Sequence, residues 1–156
     1  MKETALNNRK IMTGLIALTL CAIWIQSALG SDRSEAESMW LFGRVYGILR
    51  FLVGEELATV HLLRKLAHFT EFFILGTEGM ALRRSYRRRD VCSFITVFLL
   101  CNFAAFLDET IQLFSGRGPS VTDIWIDTSG AFSGMMFFLV FAEIRDALIR
   151  KKGRKQ

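Results

Sequence analysis

The sequence predicts an all-α integral membrane protein, a four-transmembrane-helix bundle with an additional amphipathic interfacial helix, forming a single domain over residues 1–156. Three observations carry this. The chain is 51% hydrophobic with 14 Phe, a single Pro and a mean hydropathy of +0.31; ordinary globular chains reach ~45–50% apolar only when Gly is counted. Apolar runs near the ~20 residues needed to cross ~30 Å of hydrocarbon recur along it. The Lys and Arg residues behind the net charge of +5 stand in short blocks beside those runs, a pattern of membrane topology and lipid head groups rather than nucleic-acid binding.

The first predicted span is residues 11–30, IMTGLIALTLCAIWIQSALG, uncharged and preceded by Lys2, Arg9 and Lys10. A cleaved signal peptide ending at Ala28-Leu29-Gly30 is the rival reading, set aside because a signal core is only ~7–15 residues long. After the polar stretch SDRSEAES, Leu41, Val45, Ile48, Leu49 and Leu52 recur at helical spacing with Trp40 and Tyr46 among them. That pattern predicts the amphipathic outer segment, about residues 38–54.

The second span, residues 61–82, has the right length but contains Arg64, Lys65, His68, Glu71 and Glu78. Lys65, His68 and Glu71 follow one another at i, i+3, so they form a stripe that must face other helices or a wet cavity. The third span, residues 91–114, is capped by Asp90, begins uncharged, and ends with Asp108, Glu109 and Gln112. Ser115–Ser120, with two glycines, the single proline and Arg117, is the strongest turn signal. The last span, residues 124–142, opens near Asp123 and Asp127 and carries Gly130 and Gly134 at i, i+4, a small-residue face on which another backbone can approach.

Basic residues mark the start of the chain, the segment Arg83–Arg89 with five arginines in seven residues, and the tail Arg150–Lys155. By the positive-inside rule both termini are cytoplasmic. The polar ends of spans two, three and four then all fall on the outer side. Cys21, Cys92 and Cys101 lie in or beside apolar runs without a partner at metal-ligand spacing and read as small apolar fillers.

The resulting candidate ligand-binding set is Lys65, His68, Glu71, Asp108, Glu109, Gln112, Arg117, Asp123 and Asp127. Its excess of carboxylates is balanced either by raised proton affinities or by a bound cation. Three uses of it stand open. Lys65, His68 and Arg117 could receive a lipid phosphate while the acids orient them. The acids could hold a divalent ion that itself meets a lipid phosphate, which would make an enzyme of lipid-phosphate chemistry with His68 as acid or base. Or the groups could pair among themselves and only keep the spans in register. The residues require no resident cofactor, although a divalent cation fits the second use; the expected partner is a membrane lipid or lipid-linked precursor, with no nucleic acid.

These residues resemble the VanZ-like family of small bacterial membrane proteins, named for a teicoplanin (glycopeptide) resistance protein. The matching blocks are Lys65-Leu66-Ala67-His68-Phe69 with Leu75-Gly76, then Asp108-Glu109 with Gln112 and Phe114, Gly116-Arg117, Asp123, and Gly130 with Gly134. Glu71 stands where the family usually has tyrosine, and Asp127 where it usually has asparagine; both departures add an acid. The resemblance implies a polytopic cell-envelope protein connected with glycopeptide susceptibility and supplies no settled reaction.

Overall fold

In the computed structural model, which describes residues 2–116, 118 and 120–153, the chain forms five helices: α1 (Lys2–Ala28), α2 (Ser31–Val53), α3 (Val60–Ser85), α4 (Val91–Phe114) and α5 (Val121–Gly153). Among the described residues there is no strand. Among the described residues two stretches are long and apolar enough to cross a membrane, Leu6–Ala28 and Val91–Phe114. The four-span expectation is therefore met by two helices on length and apolarity. The first half of α3 and the first turns of α5 instead carry the ionisable residues that the sequence placed there, and these two helices form the most closely packed pair in the fold.

Local chemistry sets the helix limits. Asp90 accepts the Ser93 backbone N–H at 2.8 Å and starts α4 where expected; this hydrogen bond holds its carboxyl below the usual carboxylate range. Thr59 caps α3 in the same way, accepting the Leu62 N–H at 3.1 Å. Four helices run beyond their expected bounds, α3 by only one residue at its start and three at its end. α5 continues past Ala142 because EIRDALIRKK contains no breaker and mostly strong helix formers. α1 begins at Lys2, well before Ile11, and α2 begins at Ser31, so the polar stretch SDRSEAES is itself helical.

The α3–α5 contact depends on glycine. A Cβ built on Gly130 would collide with the Phe69 carbonyl oxygen, one on Gly134 with the Phe73 carbonyl oxygen, and one on Gly76 with the Ala131 carbonyl oxygen. The two backbones touch over about two turns of α3, from Phe69 to Gly76, as a small-residue face permits. The Thr77 hydroxyl donates to the carbonyls of Phe73 (2.8 Å) and Gly134 (3.2 Å) along the same seam. Ile23, Phe72, Leu75, Cys101, Ala104, Ala105 and Ala131 form the apolar core around it, drawn from α1, α3, α4 and α5.

Outside, the molecule is apolar. Leu18, Ile25, Leu99, Leu100, Phe103, Phe106, Phe137 and Val140 are all exposed, whereas Ser27, Asp108, Glu109, Gln112 and Asp127 are buried. Such an inversion suits a lipid surround, because a water-soluble chain seldom exposes so much large apolar surface. α2 follows the same logic: Ile48, Phe51 and Leu52 are exposed while Leu49 is buried, and the helix packs chiefly on α3.

Ionic contacts gather the basic segments at one end. Arg9 of α1 donates to the Ser85 carbonyl at 3.2 and 3.3 Å and lies 4.3 Å above the Tyr86 ring. Arg84 donates to both carboxylate oxygens of Asp146 at 2.8 Å, a pairing that holds the Asp146 carboxyl below its usual range. The start of α1, the arginine segment after α3 and the late turns of α5 therefore lie together. Residues 154–156 of the basic tail are outside the described residues.

Candidate functional site

At the opposite end, the last turn of α1, the first half of α3, the last turns of α4 and the first turns of α5 meet. The glycine seam decides which side chains meet there. Gly130 against Phe69 brings Asp127, almost one turn earlier on α5, beside His68. His68 Nδ1 lies 3.6 Å from Asp127 Oδ1 and 3.8 Å from Asp108 Oδ2. Both carboxylates are fully buried, and the imidazole is mostly so.

Asp108 is well supported. Its Oδ1 accepts the Ser27 hydroxyl from α1, and its Oδ2 accepts the Gln112 amide at 2.8 Å. Gln112 also donates to Glu109 Oε1 at 3.2 Å, and Glu109 Oε2 accepts the Ser120 backbone N–H at 2.8 Å, which ties the turn before α5 to α4. Ser115 donates its hydroxyl to the Ser27 carbonyl at 2.9 Å and closes the end of α1 against α4. Asp127 differs: among the described residues neither of its carboxylate oxygens has a hydrogen-bond partner. One layer toward the bundle centre, Thr128 donates to Asn102 Oδ1 at 2.7 Å.

Beside this cluster a cavity of about 390 Å³ opens between α2 and α3. His68 and Glu71 line it with Arg64, Gln26, Ser34 and Ser38, and Trp40 and Leu41 of α2 form an apolar wall. His68 is thus shared between the buried acids and the open cavity. A second groove of about 470 Å³, almost wholly apolar, runs along α1, α3 and α4 past Leu20, Trp24, Leu75, Val97, Leu100 and Leu107 toward Arg83 and Tyr86.

Of the candidate residues, the structure brings His68, Asp108, Glu109, Gln112 and Asp127 together and puts Glu71 on the adjoining cavity wall. Asp123 sits half-buried one turn before Asp127, in the first turn of α5 where an acid complements the helix dipole. Lys65 is half-buried on α3, but Arg64 takes the cavity wall. The reason is helical register: Arg64, His68 and Glu71 are spaced i, i+4, i+7 and share a face, while Lys65 is turned ~100° from Arg64. Arg117 lies outside the described residues.

Ser27, Gln26 and Arg64 are absent from the candidate set that the sequence suggests. Gln26 and Ser27 are the first polar pair after the apolar run Leu20 to Ile25, and that was the available signal. The arrangement as a whole can orient a proton or a cation at His68 and offer hydrogen bonds to an oxyanion entering the cavity.

The VanZ/LLP1 family model matches residues 11–142. No curated protein and no solved structure matches the chain.

Proposed function

Because the chain belongs to the VanZ/LLP1 family, we propose that it is a multi-pass protein of the bacterial inner membrane that binds an anionic lipid-linked envelope intermediate in the cavity beside His68, and through it affects glycopeptide susceptibility. In this reading α1, α3, α4 and α5 all cross the membrane, α2 lies at the outer interface, and both termini are cytoplasmic. The clustering of Arg9, Arg83, Arg84 and the late turns of α5 at one end supports that orientation, since basic segments stay on the cytoplasmic side. It places His68 and its acids near the outer leaflet.

The observation that carries the reading is the cavity with Arg64, His68, Gln26, Ser34 and Ser38 on its wall beside the carboxylates of Glu37 and Glu71, set between helices whose outer faces are largely apolar. Guanidinium and hydroxyl donors recognise phosphate oxygens, and the long apolar groove on α1, α3 and α4 suits a hydrocarbon chain. Glu37 and Glu71 on the wall, with the buried acids behind His68, make the cavity poor for a free polyanion and better for a phosphate that arrives with, or displaces, a positive partner.

The test is retention of a polyprenyl pyrophosphate by protein in lipid nanodiscs, read by native mass spectrometry. Arg64→Ala should weaken retention about tenfold, the value of one charge-assisted hydrogen bond, and should shift glycopeptide susceptibility in the same direction as deletion. Equal retention by Arg64→Ala and the wild type, or equal retention of a neutral lipid, would count against the reading.

A further inference from the structure

We propose that His68, Asp108 and Asp127 hold a first-row divalent metal ion, Zn²⁺ or Mn²⁺, with one coordination position open to the cavity. The three donor atoms lie within 4.8 Å of one another. The separations of 3.6 and 3.8 Å from His68 Nδ1 are too long for hydrogen bonds. They fall within the ~4.2 Å that two ligands can span when each is ~2.1 Å from one ion.

Asp127 supplies the independent sign. Among the described residues it is fully buried with neither carboxylate oxygen hydrogen-bonded, although its oxygen faces the imidazole. Buried polar groups almost always find partners, and a carboxylate left without one is costly unless something else neutralises it. A neutral imidazole with two carboxylates carries two negative charges, which one divalent ion cancels. Asp108 has the remaining feature of a metal ligand: outer hydrogen bonds from Ser27 and Gln112 that fix its orientation.

The donor set selects the ion. One imidazole and two carboxylates suit Zn²⁺ or Mn²⁺ better than Mg²⁺, which prefers oxygen alone. Three protein ligands leave a fourth position for an exogenous oxygen, and His68, which also lines the cavity, sets that position next to it. This inference rests on the lipid reading above only for the identity of that oxygen, a phosphate of the bound lipid, whose charge the ion would offset against Glu71 and Glu109.

The test uses the full chain in nanodiscs, stripped with a chelator and dialysed against Zn²⁺ or Mn²⁺. The wild type should hold about one ion per chain by elemental analysis, and bound Mn²⁺ should show the pulsed-EPR coupling of one imidazole nitrogen. His68→Ala and Asp127→Asn should each lower affinity ten- to a hundredfold, and Glu143→Gln at the other end should not. No stoichiometric ion on the wild type, or Mn²⁺ without an imidazole coupling, overturns the proposal even where a variant fails to fold. So does undiminished binding by both folded variants, which would leave a proton or the imidazolium as the balancing charge. Metal bound at these residues with lipid retention unchanged by its removal supports the metal site and removes the metal's link to the lipid.

Discussion

Gly134→Leu is expected to separate α3 from α5 and cost about 3 kcal/mol or more, the upper range for overpacking, because the obstacle is backbone rather than a movable side chain. A Cβ at this position already meets the Phe73 carbonyl and approaches Thr77 Oγ1, whose hydroxyl donates to the Gly134 carbonyl. The helices cannot open locally without moving Gly130 from Phe69, and with it Asp127 from His68. Loss of the folded fraction in a detergent thermal melt checks the stability, and loss of lipid retention checks the site. Gly47→Leu on α2 is the matching control: nothing lies within 4 Å of a Cβ there, and leucine is the better helix former, so stability should change by no more than about 1 kcal/mol. Equal melting of the two variants would mean that the α3–α5 contact does not hold the fold together.

Asp108→Ala carries the second large effect, about 3 kcal/mol of destabilisation. The substitution removes the acceptor of the buried Ser27 hydroxyl and one of the two acceptors of the Gln112 amide, which keeps only Glu109. Ser27→Ala should cost less, and the double variant Ser27→Ala/Asp108→Ala should cost less than the sum of the singles, because the two side chains lose the same hydrogen bond. Thermal melts of the four proteins give the coupling. Strict additivity would show that α1 is not tied to α4 through this pair. Asp108→Asn separates packing from charge: it keeps the volume and can still accept from Ser27, so it should melt closer to the wild type than Asp108→Ala does.

Much of this architecture was legible because a few residues leave the backbone little choice. Asp90 before an uncharged run, and Ser115–Ser120 after it, fix α4 from both sides, and α4 has the expected limits. Gly130 and Gly134 announced a close helix contact and made one. The ends of α1, α2 and α5 were less legible, because polar helix formers extend a helix beyond hydrocarbon without any change in periodicity. The polar cluster could be read from cost alone: Asp108, Glu109, Gln112 and Asp127 are too expensive to place against lipid, and they are buried together.

What the sequence obscured was register and partnership. Lys65 and Arg64 are equally plausible on a helical wheel until the position of α2 is known, and α2 puts Arg64 on the cavity. A single serine at the end of an apolar run, Ser27, gives no hint that it will donate to an acid on α4, since that pairing depends on how α1 leans against the bundle.

On the proposed reading this cluster serves a cavity open to the outer side. Labelling of Ser38→Cys in a variant lacking Cys21, Cys92 and Cys101, using a membrane-impermeant maleimide on intact cells, tests it most directly. Ser38 lines the cavity on α2. Modification from outside without permeabilisation, slowed when a polyprenyl pyrophosphate is supplied, is the predicted result. Modification only after the membrane is opened, at a rate indifferent to the lipid, would contradict the account.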